Sequence, residues 1–362
     1  MTPRNAYIAL NMMPGIGPVK VRGLIECLGS VEAIFTASPN ELMQGKGIGQ
    51  KLCDNIISQR ERINPRHEEE DAHELGAKII TIADEAYPKA LKEIHDPPMA
   101  LYVRGDIVER DQHAVAVVGS RNCSHYGTLA ADRLSYGLSS AGYTVISGLA
   151  RGIDTSAHLG ALKGKGRTIA VLGSALDELY PTENEELAER IVKQGAVISE
   201  FPLGTKPGRT TFPMRNRIIT GLSLGTLVVE AGMKSGAMIS VDEATAQGRL
   251  IFAVPGRIDN KNAQGCHFLI KNGAKLVESF KDITDEFEYL FTPETKPAER
   301  PKPKLNEVET RVMALLETAG GMDVDTLIRE GKLDPARVNG VLIGLEMKRM
   351  IKVLPGRFID II

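Results

Sequence analysis

Residues 201–229 concentrate the side chains that bind anions. The segment contains no Asp or Glu, and a Gly/Pro-rich turn in it leads into an apolar, strand-like run. Its basic residues are Lys206, Arg209, Arg215 and Arg217. Arginine suits phosphate because its planar guanidinium presents several N–H donors in a fixed geometry. A buried strand in the second half would partly explain the missing acids, but the segment favours an anion-binding site.

The overall charge of the chain does not explain this segment. The 362 residues carry 44 Lys and Arg against 46 Asp and Glu, a formal net charge of −2. We therefore expect a local basic patch on a nearly neutral protein. No run reaches the roughly 18 apolar residues of a membrane span, and the N-terminus lacks the layout of a secretory signal. These features predict a cytoplasmic protein without a membrane partner.

Cysteine and histidine spacing predicts no metal, no disulfide and no cofactor. The chain has no Cys-x-x-Cys pair and no His at ligand spacing from its cysteines, Cys27, Cys53, Cys123 and Cys266. Reduced core thiols are the simpler interpretation. His158 and His267 fall on predicted helices, where packing or solvation is a simpler role than catalysis.

The chain divides into four regions. Length alone predicts two or three domains. Residues 1–66 suggest short helices punctuated by glycine, and 78–288 alternate β-branched runs with helical patterns. Residues 292–304 carry four prolines and no aliphatic side chain larger than Ala, as in a solvated linker. Residues 305–362 form a separate small domain.

The central region predicts an α/β fold with an extended Rossmann-like, doubly wound parallel sheet. Short apolar runs separated by helices need a sheet covered on both faces, joined by right-handed crossovers. Two earlier runs, 78–83 and 100–103, could extend one edge. The core strands are predicted at 114–118, 144–146, 168–172, 196–199, 226–229, 251–254 and 275–278. Ligands of such sheets bind where these strands end and helices begin.

The loop after the first core strand supplies Gly119, Ser120 and Arg121. Glycine permits a tight turn, serine offers a hydrogen bond, and arginine adds a cation suited to phosphate. The alternative is structural: Ser124 caps a helix and Arg121 pairs with an internal acid.

The loop after the second core strand resembles a phosphate-binding turn. It places an arginine between two glycines, and Asp154 or Thr155 could cap the next helix. It is neither a Walker A loop nor a dinucleotide fingerprint, so tightly bound ATP or NAD is not expected. The candidate residues are Ser147, Gly148, Arg151 and Gly152.

Aromatic and amide side chains follow in the later loops. Tyr180 could stack on a base, and Asn184 could start a helix or merely cap it. Mixed cations and aromatics suit a nucleic-acid strand, because stacking holds bases without reading sequence while arginines hold the backbone. The candidates are Arg209, Phe212, Arg215, Asn216 and Arg217, with Ser235 and Gly236 in a later turn.

In this order, the motifs at 119–121, 147–154, 212–219 and 235–236 resemble the DNA-processing protein A family, also called DprA or Smf. The resemblance implies a Rossmann domain that binds single-stranded DNA, dimerises, and helps to load the RecA recombinase during natural transformation. It implies no catalysis. It places the DNA pocket on the first two loops and on Arg215 and Asn216. Thr182 and Glu183 stand where the family often has a basic residue.

Both flanking regions have motifs of their own. Residues 13–20 and 45–51 look like the hairpins of a helix-hairpin-helix domain, whose glycine amides can approach phosphate. Residues 1–66 contain eight Lys and Arg against five Asp and Glu. That excess is small, so a packing or partner-binding role stays open.

The C-terminal region predicts a winged helix. Helices are expected at 306–316, 323–330 and 334–348, and a strand pair at 351–354 and 357–361 around Pro355 and Gly356. The third helix offers Arg337 and Asn339, but the region has eight basic against nine acidic residues. Protein contact or a weakened DNA interaction is therefore favoured over duplex reading.

Two other function classes compete with DNA binding. Residues 221–230 resemble the glycine-rich turn of Rossmann-type nucleotide phosphoribohydrolases, in which Glu230 would assist N-glycosidic cleavage. Here Gly221, Leu222 and Ser223 replace the Pro-Gly-Gly start of those enzymes. A scaffold that binds only proteins is the third class. We expect a protein that is not an enzyme.

Overall fold

The computed structural model describes residues 1–290, 305–319, 321–331, 333–348, 350–354 and 358–361. The chain forms two compact units, Met1–Glu294 and Thr295–Ile362. The predicted linker at 292–304 and the predicted turn at Pro355 and Gly356 lie outside the described residues. No helix within these described ranges has both the length and the apolar content needed to cross a bilayer.

The first unit begins with a helical region. Its helices are α1 (Pro3–Met12), α2 (Pro18–Leu28), α3 (Pro39–Leu42), α4 (Gln50–Gln59) and α5 (Pro65–Glu74). The two predicted hairpins join α1 to α2 and α3 to α4. Gly15 and Gly47 in these hairpins have φ values of 84° and 79°, a conformation that glycine adopts at little cost. Ile8 of α1 packs in one cluster with Ile79 and Tyr102 of the sheet, which joins the helices to the α/β region.

The sheet of the first unit has nine strands in the order β1-β2-β6-β5-β4-β3-β7-β8-β9. Strands β3 to β9 pair in parallel, whereas β1 and β2 form an antiparallel addition at one edge. The predicted parallel sheet is therefore confirmed. The strands are β1 (Ala77–Thr81), β2 (Ala100–Gly105), β3 (Ala114–Val118), β4 (Thr144–Ser147), β5 (Thr168–Val171), β6 (Ala196–Ser199), β7 (Gly225–Val228), β8 (Leu250–Ala253) and β9 (Lys275–Leu276).

Helices cover both faces of the sheet. Along β3, Ala116 and Val118 join one apolar cluster, whereas Val115 and Val117 join another, because successive side chains of a strand point to opposite faces. The covering helices are α6 (Lys89–Lys92), α7 (His125–Ser140), α8 (Ile153–Lys163), α9 (Glu185–Val192), α10 (Thr211–Gly221), α11 (Gly236–Ala246), α12 (Gln264–Lys271) and α13 (Lys281–Thr284).

The last strand, β9, is shorter than the predicted run at 275–278. The backbone N–H groups of Glu278 and Ser279 donate to the Asp282 carboxylate, at 2.9 and 2.8 Å. These two donors are thus used to begin α13 and cannot continue the strand ladder.

The direction of strand addition reverses at β3, which lies between β4 and β7. At such a switch point the loops leaving neighbouring strands diverge, and a crevice opens outside the carboxyl ends of the strands. The loops after β3, β4 and β7 frame this crevice, so the sheet brings together residues that are far apart in sequence.

The second unit is a winged helix. It contains α14 (Glu307–Ala319), β10 (Met322–Asp323), α15 (Val324–Gly331), α16 (Pro335–Met347), β11 (Ile351–Leu354) and β12 (Phe358–Ile361). The strands pair in the order β10-β12-β11 around a core that includes Val312, Leu327 and Leu345. The two-residue strand β10 is too short for an alternation pattern and was not predicted. The Arg337 side chain lies outside the described residues.

Candidate nucleic-acid interface

A groove of about 450 Å³ lies at the switch point. Its walls come from the loops after β3 and β4, from the N-terminal half of α10, and from the start of α11. We call it the switch-point groove; its lining includes Gly119, Ser120, Arg121, Asn122, Ala150, Asp154, Arg209, Phe212, Arg215, Asn216, Ser235 and Gly236. Nine of the fourteen predicted site residues are among them, and the chain therefore folds most of the candidate set into one concave surface.

Arg121 is the exposed cation of the first loop. Its guanidinium carbon lies 4.9 Å from the centre of the Phe212 ring, within the range of a cation–π contact. No carboxylate in the described part of the chain lies within ion-pair distance of it. The alternative interpretation, in which Arg121 pairs with an internal acid, therefore does not agree with the described part of the structure. The guanidinium edge stays available to a ligand.

Arg215 forms part of the groove floor rather than its rim. It is 4% exposed, and its Nη1 donates to the carbonyl oxygen of Gly148 at 2.6 Å and to that of Val171. Burial lowers the pKa of Arg215 to about 10, which still leaves it charged at neutral pH. A Cβ at Gly148 would overlap the guanidinium, so glycine is required there by close approach. Arg215 thus supplies a fixed positive charge beneath the groove.

Arg217 lies outside the groove, which corrects its prediction as a DNA-contacting residue. It is 4% exposed and donates to both carboxylate oxygens of Glu200, at 2.9 and 2.6 Å, and to Asp96 at 2.8 Å. Burial opposes its charge, but these two acids outweigh burial and raise the pKa of Arg217. Residues two apart on a helix do not share a face, so Arg215 and Arg217 diverge.

Ser147 is a second predicted site residue with an internal role. It is fully buried, and its Oγ donates to the carbonyl oxygen of Val117 at 2.6 Å. As part of β4, the residue lies within the sheet, before the loop begins. It holds two strands together and does not line the groove.

Asp154 holds the loop after β4 in place and does not cap the helix that follows. The Asp154 carboxylate accepts the backbone N–H groups of Gly148 and Ala150, at 3.1 and 3.3 Å. The N-cap residue of α8 is Gly152, with φ 78°, and not Asp154 or Thr155 as predicted. A Cβ on Gly152 would overlap the backbone of Ser120, so this glycine lets the first two loops touch.

Arg151 lies on the rim of the groove and has a partner there. Its Nε and Nη2 donate to Glu183 at 2.5 and 2.6 Å, and its guanidinium carbon lies 5.8 Å from the centre of the Tyr180 ring. The centres of the Tyr180 and Phe212 rings are 6.0 Å apart. Two aromatic rings thus lie between two arginines along one edge, which we call the rim row: Arg121, Phe212, Tyr180 and Arg151.

The remaining predicted residues that line the groove come from the start of α11 and from α10 and the turn before it. Ser235 caps α11 by accepting the N–H of Ala237 at 3.3 Å. At Gly236 a Cβ would meet no atom within 4 Å, so this helix start has free space next to it. Helix N-termini attract anions through their unpaired N–H groups. Arg209 and Asn216 add an exposed cation and an amide.

Glu230, the residue on which the enzyme alternative depends, does not line the switch-point groove. It is 3% exposed, and its carboxylate accepts the N–H and Oγ–H of Ser124 at 3.1 and 2.6 Å. Ser124 in turn caps α7 by accepting the N–H of Gly127 at 3.1 Å. The glutamate is therefore engaged at a helix N-terminus, a structural use of its charge.

His158 is packed inside the α/β region, as the simpler interpretation of this histidine predicts. It is fully buried, and its Nδ1 lies 2.7 Å from the Thr168 Oγ1. Burial, with a smaller contribution from the charge of Arg215, lowers the pKa of His158 to about 3. Within the described ranges, no group of His, Cys, Asp and Glu is arranged to hold a metal ion.

Two features of the site were not found from the sequence. The pairing of Arg151 with Glu183 joins residues 32 positions apart. The support of the second loop by Asp154 depends on a side chain that turns back from α8 towards the loop before that helix. The only sequence signal for the first was the acid itself, Glu183, next to the Tyr180 turn.

Fold and site together define the class: a Rossmann-like α/β protein with a basic, aromatic-edged groove at its switch point, preceded by helix-hairpin-helix elements and followed by a winged helix. Residues 78–288 match the family described as DNA recombination-mediator protein A, 296–357 match the DprA winged helix domain, and 7–62 match the SAM-like helix-hairpin-helix tandem. The chain belongs to the DNA-processing protein A family, also called DprA or Smf.

Individual relatives support this membership. Protein Smf of Synechocystis is 39% identical over 277 residues, 75% of this chain and 70% of that protein. The DNA processing protein DprA of Streptococcus pneumoniae is 44% identical over 58% of this chain and 74% of its own length. The X-ray structure of the latter protein superposes with a TM-score of 0.70 at 35% identity, covering 79% of this chain and 98% of that one.

A second solved structure comes from Helicobacter pylori. It is a DNA processing protein A whose single-stranded DNA binding mode was determined. It matches with a TM-score of 0.53 at 28% identity and covers 59% of this chain and 97% of that one.

Proposed function

We propose that this protein binds single-stranded DNA in the switch-point groove and acts in DNA processing. The observation that carries the proposal is the convergence of Arg121, Phe212 and Arg215 on one concave surface, from loops and a helix far apart in sequence. The Helicobacter pylori relative, described by its single-stranded DNA binding mode, supports the same ligand.

The rim row explains why a single strand fits better than a duplex. Exposed arginines hold phosphates at any sequence, and the faces of Phe212 and Tyr180 stack on unpaired bases. In a duplex those base faces are already stacked on their neighbours. The proposed contact residues are Gly119, Ser120, Arg121, Gly148, Arg151, Gly152, Arg209, Phe212, Arg215, Asn216, Ser235 and Gly236. Ser147 and Arg217 are left out because of their internal partners.

Family membership extends the proposal to the cell. We infer that the protein acts in the cytoplasm during natural transformation, as a homodimer that helps to load RecA onto incoming strands, and that it catalyses no reaction. We also propose the division into a helix-hairpin-helix domain at 1–66, a DNA-binding domain at 78–288, a linker at 292–304 and a winged-helix domain at 305–362. Sedimentation would test the dimer, and RecA filament growth on coated DNA would test loading.

A salt titration tests the DNA-binding proposal. The logarithm of the affinity for a single-stranded oligonucleotide should fall linearly with the logarithm of salt concentration, with a slope of about −0.7 per phosphate contacted. The matched duplex should bind more weakly at every salt concentration. Equal binding of both, or binding that does not depend on salt, would contradict the proposal, and the second result would favour a scaffold for proteins.

The enzyme alternative has less support. Nucleotide N-glycosidic cleavage needs a carboxylate that can reach the sugar, and Glu230 is instead buried against Ser124. Incubation with a purine nucleoside monophosphate should release no free base. Release that is lost in Glu230→Gln would establish the alternative.

A further inference from the structure

An acid stands at the rim of the groove, where an anion-binding surface would not be expected to have one. Glu183 comes from the turn that precedes α9, and it takes both Nε and Nη2 of Arg151 in a two-pronged pair at 2.5 and 2.6 Å. The two side chains are 50% and 52% exposed. The pair is therefore formed in contact with water and is not a core ion pair.

Arg151 lies next to the groove but is separated from it by one ring. A narrow slot is lined by Arg121, Arg151, Tyr180 and Phe212, among others. Arg121 and Phe212 also line the switch-point groove. Arg121 and Phe212 are thus shared by the slot and the groove, whereas Arg151, held by Glu183, lines the slot but not the groove. Along the rim row, Arg151 is the cation that would meet the next part of a ligand leaving the groove.

We propose that Glu183 is a specificity-determining residue that occupies Arg151 until a continuous strand displaces it. This inference rests on the proposed binding of single-stranded DNA. In this binding mode, the groove holds one nucleotide without help from Arg151. The phosphate of the adjoining nucleotide then takes the Arg151 guanidinium from the Glu183 carboxylate. Glu183 thereby leaves the position beside Arg151 available to polynucleotides and closes it to single nucleotides.

The exposure of the pair makes this exchange feasible. Ion pairs in water are weak because solvent screens their attraction and both long side chains must be ordered. A phosphate tethered to a nucleotide that is already bound has a high effective concentration at Arg151, whereas a free nucleotide has only its bulk concentration. A strand can therefore displace Glu183 when a single nucleotide cannot. A glutamate is ionised at neutral pH, and the hydrogen bonds from Arg151 lower the pKa of Glu183 further, so the carboxylate competes with phosphate over the whole neutral range.

The test compares Glu183→Gln with a matched charge change elsewhere. Asp259 is likewise an exposed acid in a two-pronged pair, with Arg257 at 3.0 and 2.9 Å, and it does not line the groove. Asp259→Asn therefore adds the same charge without touching the rim row. Affinity for a 20-nucleotide oligothymidylate is measured over a salt series, and the inhibition constant of thymidine 5′-monophosphate is measured by competition.

We expect Glu183→Gln to bind the oligonucleotide at least about threefold more tightly than Asp259→Asn, because the strand no longer has to take Arg151 from a carboxylate. The inhibition constant of the mononucleotide should also fall in Glu183→Gln, because the position beside Arg151 is then no longer closed to single nucleotides. Adding Arg151→Ala to Glu183→Gln should abolish the gain. The inference is overturned if the two single variants behave alike, if the gain survives Arg151→Ala, or if the inhibition constant of the mononucleotide is the same for both single variants.

This design separates the two proposals. If the unaltered protein does not bind the oligonucleotide in a salt-dependent manner, the proposed function fails. If it does bind but Glu183→Gln matches Asp259→Asn, only the role of Glu183 fails. Urea unfolding followed by tyrosine fluorescence checks that each variant is folded.

Discussion

The Arg121 guanidinium lies against the face of the Phe212 ring, 4.9 Å from its centre. Arg121 lies in the loop after β3 and Phe212 in the first turn of α10, and the contact therefore exists only when the loop and the helix meet across the groove. The ring holds the long arginine side chain in place, which lowers the entropy lost when the guanidinium binds a phosphate. A charge and a stacking surface are thereby presented together.

Replacing Arg121 by Ala should weaken single-stranded DNA binding by about tenfold for every sequence and reduce the salt slope by about 0.7, because a phosphate contact positions the strand without reading it. Phe212→Ala should also weaken binding but leave the slope unchanged, since stacking releases no counterions. Arg257→Ala, which removes an exposed cation outside the groove, is the control. A gel-shift series in which Arg121→Ala binds like the control would remove Arg121 from the site.

Arg217→Met should destabilise the first unit without a direct effect on DNA contacts. Removing one partner of a buried ion pair leaves the other charge buried alone, at a cost of about 3–5 kcal/mol. Here the remaining partner is Glu200, which is 7% exposed. Urea unfolding measures the effect on this unit alone, because all eight tyrosines lie before residue 290 and the chain has no tryptophan.

Arg257→Met is the matched control for that experiment, because it breaks an exposed pair with Asp259 that should contribute no more than about 1 kcal/mol. The double variant Arg217→Met with Glu200→Leu should recover much of the loss. An Arg217→Met protein as stable as the control would show that the buried pair is not needed.

Gly148→Ala should disturb the groove floor. The added methyl group would overlap the Arg215 guanidinium, which is fixed by the carbonyl groups of Gly148 and Val171. Overpacking of this kind costs about 1–3 kcal/mol, and the displaced charge should also weaken DNA binding. Gly236→Ala is the control for stability, because its methyl group would meet no atom within 4 Å; it should change the unfolding free energy by less than about 1 kcal/mol. Equal stability of the two variants would contradict the assigned contact.

The sequence predicted the groove better than it predicted its individual side chains. Short β-branched runs separated by helices indicate a parallel sheet, and the geometry of such a sheet brings the loops of Arg121 and Gly148 together whatever the details. The side chain of Arg217 could not be assigned in this way, because its partners Glu200 and Asp96 come from other segments. Helical periodicity alone would have separated it from Arg215, since positions two apart point to different faces.

The same limit explains Ser147 and Glu183. A polar residue at the end of a strand can serve the sheet or the loop, and the pattern does not distinguish them; here the Oγ of Ser147 donates to Val117. In the sequence, Glu183 stands out only because the family often has a basic residue there. Glu183 can pair with Arg151 because of the path that the chain takes between β5 and α9. That path cannot be predicted from local sequence patterns.

The stability of the first unit should depend on pH through His158. Its pKa is lowered from 6.5 to about 3 by burial, and the unfolded chain therefore binds a proton below pH 6.5 that the folded protein cannot bind. Stability rises with pH wherever the unfolded state binds more protons, so this contribution is complete above pH 6.5 and is lost as the pH falls towards 3. Between pH 8 and pH 5 the loss should be about 2 kcal/mol.

His158→Gln isolates that dependence from other titrating groups. Glutamine can still hydrogen-bond to Thr168 but does not titrate, so the variant should be less stable than the unaltered protein at pH 8 and should lose less stability on acidification. The measurement is the difference between the two proteins in urea unfolding free energy at pH 8 and at pH 5, followed by tyrosine fluorescence. Because other buried acids such as Asp154 are common to both, their titration cancels in this difference. Parallel pH curves for the two proteins would mean that His158 accepts a proton without unfolding the sheet that encloses it.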